Sequence, residues 1–284
     1  MSRLFEALQI SERGGVSDVQ TALGAAALLD AAERDGAREL GDVHTIHIAP
    51  LPDSRLISIT DKESLGAEKF RFLAVRLRQM QQTKNLKRIL ITSSIAEEGK
   101  SLVSANLAVT LARKKKQKVL LIEGDLRRPV LAQEFGLGRL SGLSEALKSD
   151  SPVLKSIYYL EEAGLWFLPA GVPPDNALEL MQSGRLPDFL EHASNFFDWI
   201  VIDSPPILPL ADTTVWSRMS DGIVLVARQG KTEKRALQRG VEALAKANVL
   251  GVVLNSCLNV DRTNYYQRYG PVARAAHASS SAKS

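Results

Sequence analysis

Residues Lys87 to Ser101 read Lys-Arg-Ile-Leu-Ile-Thr-Ser-Ser-Ile-Ala-Glu-Glu-Gly-Lys-Ser, and no other stretch restricts the fold as strongly. A β-branched apolar run ends in small hydroxyl residues and the chain turns at Gly99. An Ala/Leu/Val-rich helical pattern then occupies Lys100 to Ala112. Strand, loop and helix in that order make a phosphate cradle, because N–H groups of the turn and the helix N-terminus converge on an anion and the helix dipole favours it. Ser94, Glu97, Glu98, Gly99, Lys100, Ser101 and Leu102 are the expected nucleotide contacts. Lys100 is expected to face solvent while the cradle is empty and to reach the β- and γ-phosphates when it is filled. The Ser101 hydroxyl would enter the shell of Mg²⁺, an ion that prefers oxygen ligands and keeps several waters. The spacing follows G-x-x-x-x-G-K-[ST] except that Ser94 stands first. Glycine is needed there only if φ is positive or phosphate lies too close for a side chain.

Two further apolar runs end in acids. Val119 to Ile122 leads into Glu123-Gly124-Asp125-Leu126-Arg127-Arg128-Pro129, and Trp199 to Ile202 leads into Asp203-Ser204-Pro205-Pro206. Fully apolar strands suit a parallel sheet covered on both faces. Ligands of open α/β sheets bind at the carboxyl ends of the strands, so Glu123, Asp125 and Asp203 should arrive beside the loop. Acids at strand ends are also often merely solvated. Asp203 fits a Walker B acid that holds the magnesium shell opposite Ser101. Strands over 222–228 and 249–255 flank a helix over 232–247, a short strand covers 165–168, and helical patterns lie near 143–148, 177–182 and 186–196. The resulting class is α/β, a P-loop NTPase-type parallel sheet with helices on both faces and right-handed crossovers.

With 284 residues, 45% apolar and 24% charged, the chain has room for one such domain, placed at 61–258. Around it lie a flexible segment, 1–60, and a tail, 259–284. A net charge of +4 is compatible with anionic ligands or an anionic membrane surface but too small to imply either, and no nucleic-acid partner is expected. Lys114, Lys115 and Lys116 are expected to complement a helix C-terminus, with a nucleic-acid patch as the minor alternative. The single cysteine, Cys257, precludes an internal disulfide framework, and no run approaches the ~20 apolar residues of a membrane span. The first residues lack the apolar core of a secretory signal, so the chain is expected in the cytosol or held at a membrane by another molecule. His44 and His47 are spaced for a metal on a helix, but no cysteine or carboxylate cluster accompanies them; they read as solvated linker. A helix over 64–82 would bury Leu65, Phe72, Leu73, Leu77 and Met80, with Glu68, Arg71, Val75 and Arg78 on a second, solvated face. Tyr265, Tyr266 and Tyr269 have polar neighbours, which suits either a loose tail or tyrosines on a surface or interface.

The loop, the segment Leu-Ile-Glu-Gly-Asp-Leu-Arg-Arg-Pro, the Ile-Asp-Ser-Pro-Pro strand end and the tyrosine-bearing tail together resemble the bacterial tyrosine kinase (BY-kinase) family of capsule and exopolysaccharide systems. The likeness runs from Glu68 to Tyr269. It implies Mg-ATP as phosphoryl donor, transfer in trans to Tyr265, Tyr266 or Tyr269, and catalytic roles for Lys100, Glu123, Asp125 and Asp203. By the same likeness Ser101, Asp125 and Asp203 hold the metal. The implied partners are a membrane-spanning chain-length modulator, which would keep the chain at the inner face of the membrane, a tyrosine phosphatase, and further copies of the chain through the Glu68/Arg71 helix. Three positions depart from the family pattern. Glu123 replaces its usual aspartate, moving the carboxylate by roughly 1.5 Å; Ala74 replaces the second arginine of E-x-x-R-x-x-R; and the tail holds few tyrosines. Two rival readings are a partition or positioning ATPase, whose loop carries an extra lysine where Ser94 and Ile95 stand, and a non-catalytic nucleotide-sensing subunit.

Overall fold

The structure is a computed structural model that describes residues 43–50, 54–113, 117–244 and 247–257. The tail tyrosines and Lys114 to Lys116 lie outside those residues. Eight strands form one sheet: β1 (His44–Ile46), β2 (Arg88–Ser93), β3 (Val119–Glu123), β4 (Tyr158–Leu160), β5 (Leu165–Leu168), β6 (Trp199–Asp203), β7 (Gly222–Arg228) and β8 (Val249–Asn255). Their order is β1-β4-β5-β3-β6-β2-β7-β8. The sheet is parallel from β5 to β8, whereas β4 runs antiparallel to β5. The expected parallel sheet is thus present, with one antiparallel strand, β4, added beside β5. Tyr158–Leu160 is a three-residue strand reaching β5 through a tight turn, too short to show a period.

Nine helices accompany the sheet among the described residues: α1 (Ile57–Thr60), α2 (Leu65–Thr83), α3 (Lys100–Ala112), α4 (Leu131–Glu134), α5 (Leu143–Lys148), α6 (Ala177–Met181), α7 (Arg185–Phe196), α8 (Asp212–Arg218) and α9 (Lys234–Ala243). The crossover β2–α3–β3 steps one way along the sheet, while β6–α8–β7 and β7–α9–β8 step the other way. A common right-handedness therefore puts α3 and α8/α9 on opposite faces. Ile89, Leu90 and Ile91 of β2 are completely buried, as a strand covered on both faces requires. None of the described helices is long and apolar enough to cross a membrane.

α2 begins at Ser64, whose hydroxyl accepts from Ala67 N (3.2 Å), as the N-cap preference of serine anticipates. Its buried face differs from the expected one. Leu77 is buried and Leu73 and Met80 pack against the core, but Leu65 and Phe72 are 43% and 61% exposed. The stripe runs instead through Ala67, Ala74 and Leu77, because α2 lies close against α3 and only small residues fit the closest approach. Phe72 stays outside beneath the Arg76 guanidinium, 5.4 Å from its ring centre.

Packed chain also begins before residue 60. Leu56 and Ser58 are buried, and Ser58 N donates to Asn106 Oδ1 of α3 (2.8 Å) while Asn106 Nδ2 donates to Arg55 O (3.0 Å). One buried amide thus satisfies two backbone groups of the entering chain. His47 is tied down as well: Nδ1 meets Glu162 at 3.0 Å, and that bond, followed by the Glu161 and Glu162 charges, raises its pKa. Its side chain nevertheless stays 77% exposed.

Replacing Asn106 by leucine strands the Ser58 N–H and the Arg55 carbonyl, so stability should fall by about 2 kcal/mol in denaturant titration. An unchanged midpoint would show that the segment before α2 does not depend on this amide.

Candidate functional site

β2 delivers the loop to the carboxyl edge of the sheet. Thr92 Oγ1 donates to Pro205 O (2.9 Å) and Ser93 Oγ to Ile95 O (2.7 Å), so the strand end is anchored before the chain turns. The turn needs positive φ twice, at Glu97 (62°) and Gly99 (89°). Gly99 has a further reason to be glycine, since a Cβ there would collide with the Asn255 amide. Gly99 also caps α3 without any side-chain hydrogen bond, which leaves the first N–H groups of that helix to accept an anion.

At the start of α3, Lys100 Nζ donates to Asp125 Oδ2 (3.1 Å) and Ser101 Oγ (3.2 Å) and lies 3.9 Å from Asp203 Oδ2. The ammonium is therefore not solvent-facing, contrary to expectation: its side chain is only 12% exposed because two buried carboxylates draw it in. Burial works against its charge, but Asp203 and then Asp125 outweigh that and raise its pKa. Asp203, on β6, is completely enclosed; burial pushes its carboxyl up, opposed by Lys100. One of its oxygens accepts from Ser104 Oγ (3.2 Å), and Oδ2 has no hydrogen-bond partner. Asp125 places its other oxygen on Arg128 N (3.1 Å).

Gly124 lets β3 and β6 come together beneath these groups. Its N–H donates to Asp203 O (2.7 Å), Trp216 Nε1 donates to its carbonyl (3.1 Å), and a Cβ would lie 2.7 Å from Asp203 O. A cavity of about 630 Å³ opens above, walled by Lys100, Ser101, Leu102, Asp125, Arg127 and Arg128 among others. Of the expected contacts, Glu97 and Gly99 also line it. Ser94 and Glu98 do not: both are buried behind the loop, where Glu98 Oε2 accepts from Ile95 N (3.0 Å).

Glu123 stands one strand further from the loop than Asp203, its register partner. Its two oxygens accept from Leu131 N at the start of α4 and Ala170 N beyond β5 (3.1 Å), and burial raises its pKa. It borders a second cavity, beyond α4. The extra methylene is thus used to reach these backbone groups.

Several residues that shape the site carry no sequence signal of their own. Arg228 donates to Glu97 O (3.2 Å), Lys231 pairs with the Glu97 carboxylate, Thr232 with Glu98, and Asn255 Nδ2 donates to Glu98 O (2.9 Å). They are separated from the loop by more than 130 residues and only the topology brings them there. Arg127 is held by Asp212 of α8 (2.7 and 3.2 Å), an acid whose position could not be guessed from the motif.

The donor set fits a nucleotide with its magnesium. A buried carboxylate oxygen without a hydrogen bond, a serine hydroxyl and helix N–H groups with no side-chain cap offer oxygen ligands and anion donors close together. Among the described residues no group of three or more His, Cys, Asp or Glu could hold a metal by itself, as expected where phosphate and water complete the shell.

No family model matches the chain. It is 35% identical over 217 residues to the tyrosine-protein kinase YwqD of Bacillus subtilis, 76% of this chain and 91% of that one. Over 210 residues it is likewise 35% identical to the putative tyrosine-protein kinase CapB of Staphylococcus aureus, 73% of this chain and 92% of the other. The kinase domain of Escherichia coli tyrosine kinase ETK superposes with a TM-score of 0.70 at 28% identity, covering 78% of this chain and 86% of that domain. At 35% identity over more than nine tenths of two tyrosine-protein kinases, the chain belongs to the bacterial tyrosine-protein kinase family.

Proposed function

We propose that this chain is a Mg-ATP-dependent protein tyrosine autokinase that regulates exopolysaccharide or capsule synthesis or export. What carries the reading is the Lys100–Asp125–Asp203 cluster at an anion-binding loop, in which the buried Asp203 Oδ2 faces the Lys100 ammonium at 3.9 Å and has no hydrogen bond.

Ser101, Asp203 and Asp125 would hold the magnesium ion, which when bound neutralises charge on the phosphates. The N–H groups of the loop and of α3 orient the phosphates, and Lys100 turns from the two carboxylates toward them. Arg127 and Arg128 present cationic groups on the same cavity. A tyrosine hydroxyl, with a pKa near ~10, is neutral at pH 7. As its oxygen bonds to the γ-phosphorus, the bond from that phosphorus to the oxygen of ADP breaks and the phenolic proton passes to a carboxylate. Asp125 faces the cavity and is assigned that base role. Glu123, with both oxygens on backbone N–H groups, is assigned to holding the start of α4 and the chain after β5 in place.

The acceptors are Tyr265, Tyr266 and Tyr269. The tail follows β8, whose carboxyl end opens on the same edge as the loop. Ten residues of extended chain span at most ~35 Å, enough to enter a second molecule's cavity. We assign the chain to the cytoplasmic face of the membrane, held there by a membrane-spanning modulator and reset by a tyrosine phosphatase. A homo-oligomer through α2 would have to redirect Glu68 and Arg71, which are bonded to each other (2.6 Å).

Two measurements test this. Incubated with Mg-ATP, the dephosphorylated protein should gain phosphate on at least one of the three tail tyrosines, faster with the cytosolic segment of the modulator, and the Asp203→Ala variant should gain none. Intact-mass and phosphopeptide analysis read it. Hydrolysis without tyrosine phosphate would favour the ATPase reading, and neither reaction the nucleotide-sensing one.

Lys100→Ala should abolish Mg-ATP binding by calorimetry. It also leaves two buried carboxylates without their cation, so stability should fall by roughly 3 kcal/mol. Retained ATP affinity in the folded variant would show that the loop is not the site.

A further inference from the structure

We infer that Gly240, in the middle of α9, is a positioning residue for the phosphate loop: the space left by its missing side chain is what receives the side chain of Ser94. The inference rests on reading residues 94–101 as the phosphate cradle and adds to it how this chain tolerates serine at the first loop position.

Three observations meet here. Gly240 is the one buried residue within α9. A Cβ built on it would lie 2.5 Å from Ser94 Oγ, closer than real Cβ atoms come, and 3.2 Å from Ser94 Cβ, a crowded contact. Ser94 itself is fully buried, its hydroxyl has no hydrogen-bond partner, and it is absent from the walls of the phosphate cavity. Its side chain therefore points away from the anion and into the helix opposite.

Glycine inside a helix is less favourable than alanine, and Gly240 does not have a positive φ that would demand it. Helix propensity alone would place alanine at 240. The contact with Ser94 supplies the reason for glycine. With a methyl group at 240, either the Ser94 hydroxyl must rotate within a packed, fully buried space or α9 must move away. Rotation relieves the hydroxyl but leaves Ser94 Cβ crowded at 3.2 Å, so the start of the loop must still give by a few tenths of an ångström, and α9 is also the element whose preceding turn holds Glu97 and Glu98 through Lys231 and Thr232. A shift in α9 thus reaches the cradle by two routes.

The test is a double-mutant cycle on the full chain with Mg-ATPγS as probe, reading both dissociation constant and melting temperature. In the Ser94 background, Gly240→Ala should weaken nucleotide binding by about tenfold, the effect of mild overpacking, and lower the melting temperature. In the Ser94→Gly background the same change should leave affinity within about twofold and raise the melting temperature, because only the helix preference remains. Equal losses in both backgrounds would overturn the assignment, as would no loss in either. If Gly240→Ala does not fold, Ser94→Gly/Gly240→Ala should still fold and bind, and failure of both to fold would also overturn it. An unaltered protein that binds no nucleotide would overturn the phosphate-cradle reading itself, and this assignment with it.

Discussion

One lysine ammonium sits between two buried carboxylates at the carboxyl edge of the sheet, and the groups around it keep those charges paired and hydrogen-bonded. Asp203 is fully enclosed and Asp125 nearly so; charges so placed are tolerated only when they are paired and hydrogen-bonded. Lys100 gives the pairing, Ser104 and the Arg128 N–H give hydrogen bonds, and Gly124 lets the two acid-bearing strands close beneath. Oδ2 of Asp203 has that ammonium at 3.9 Å and no hydrogen bond, and we read it as the ligand offered to a metal ion.

Much of this was legible in the sequence because the informative residues are close together along the chain. The strand–loop–helix unit, the apolar strands ending in Glu123, Asp125 and Asp203, and the boundaries of α3, β7 and β8 each lie within a dozen residues that carry their own pattern. Other features depend on distant neighbours. Phe72 was expected on the buried stripe of α2 from its spacing with Leu65, Leu73, Leu77 and Met80, yet Ala67, Ala74 and Leu77 are the buried residues and the ring stays 61% exposed under Arg76. β1, β4, α1 and α4 are three or four residues long and owe their conformation to what they pair with or pack on. Asp212, Thr232 and Asn255 entered the site only through the crossovers.

The departures at Glu123 and Ser94 have local physical explanations. Glu123 spans from the end of β3 to two backbone N–H groups, so its added methylene lengthens a brace without displacing a group at the loop. Ser94 turns its hydroxyl behind the loop, toward α9. The loop is then held from behind by the turn before α9 and by Asn255 at the end of β8, the point from which the tyrosine-bearing tail departs.

Anomalous diffraction from crystals grown with Mn²⁺ and ADP tests the central claim most directly, since Mn²⁺ shares the oxygen preference of Mg²⁺. The account predicts a manganese peak beside the Ser101 hydroxyl and Oδ2 of Asp203, with the β-phosphate on the N–H groups of residues 97 to 101 and Lys100 turned toward it. Manganese away from Asp203, or a nucleotide seated outside the loop, would contradict it.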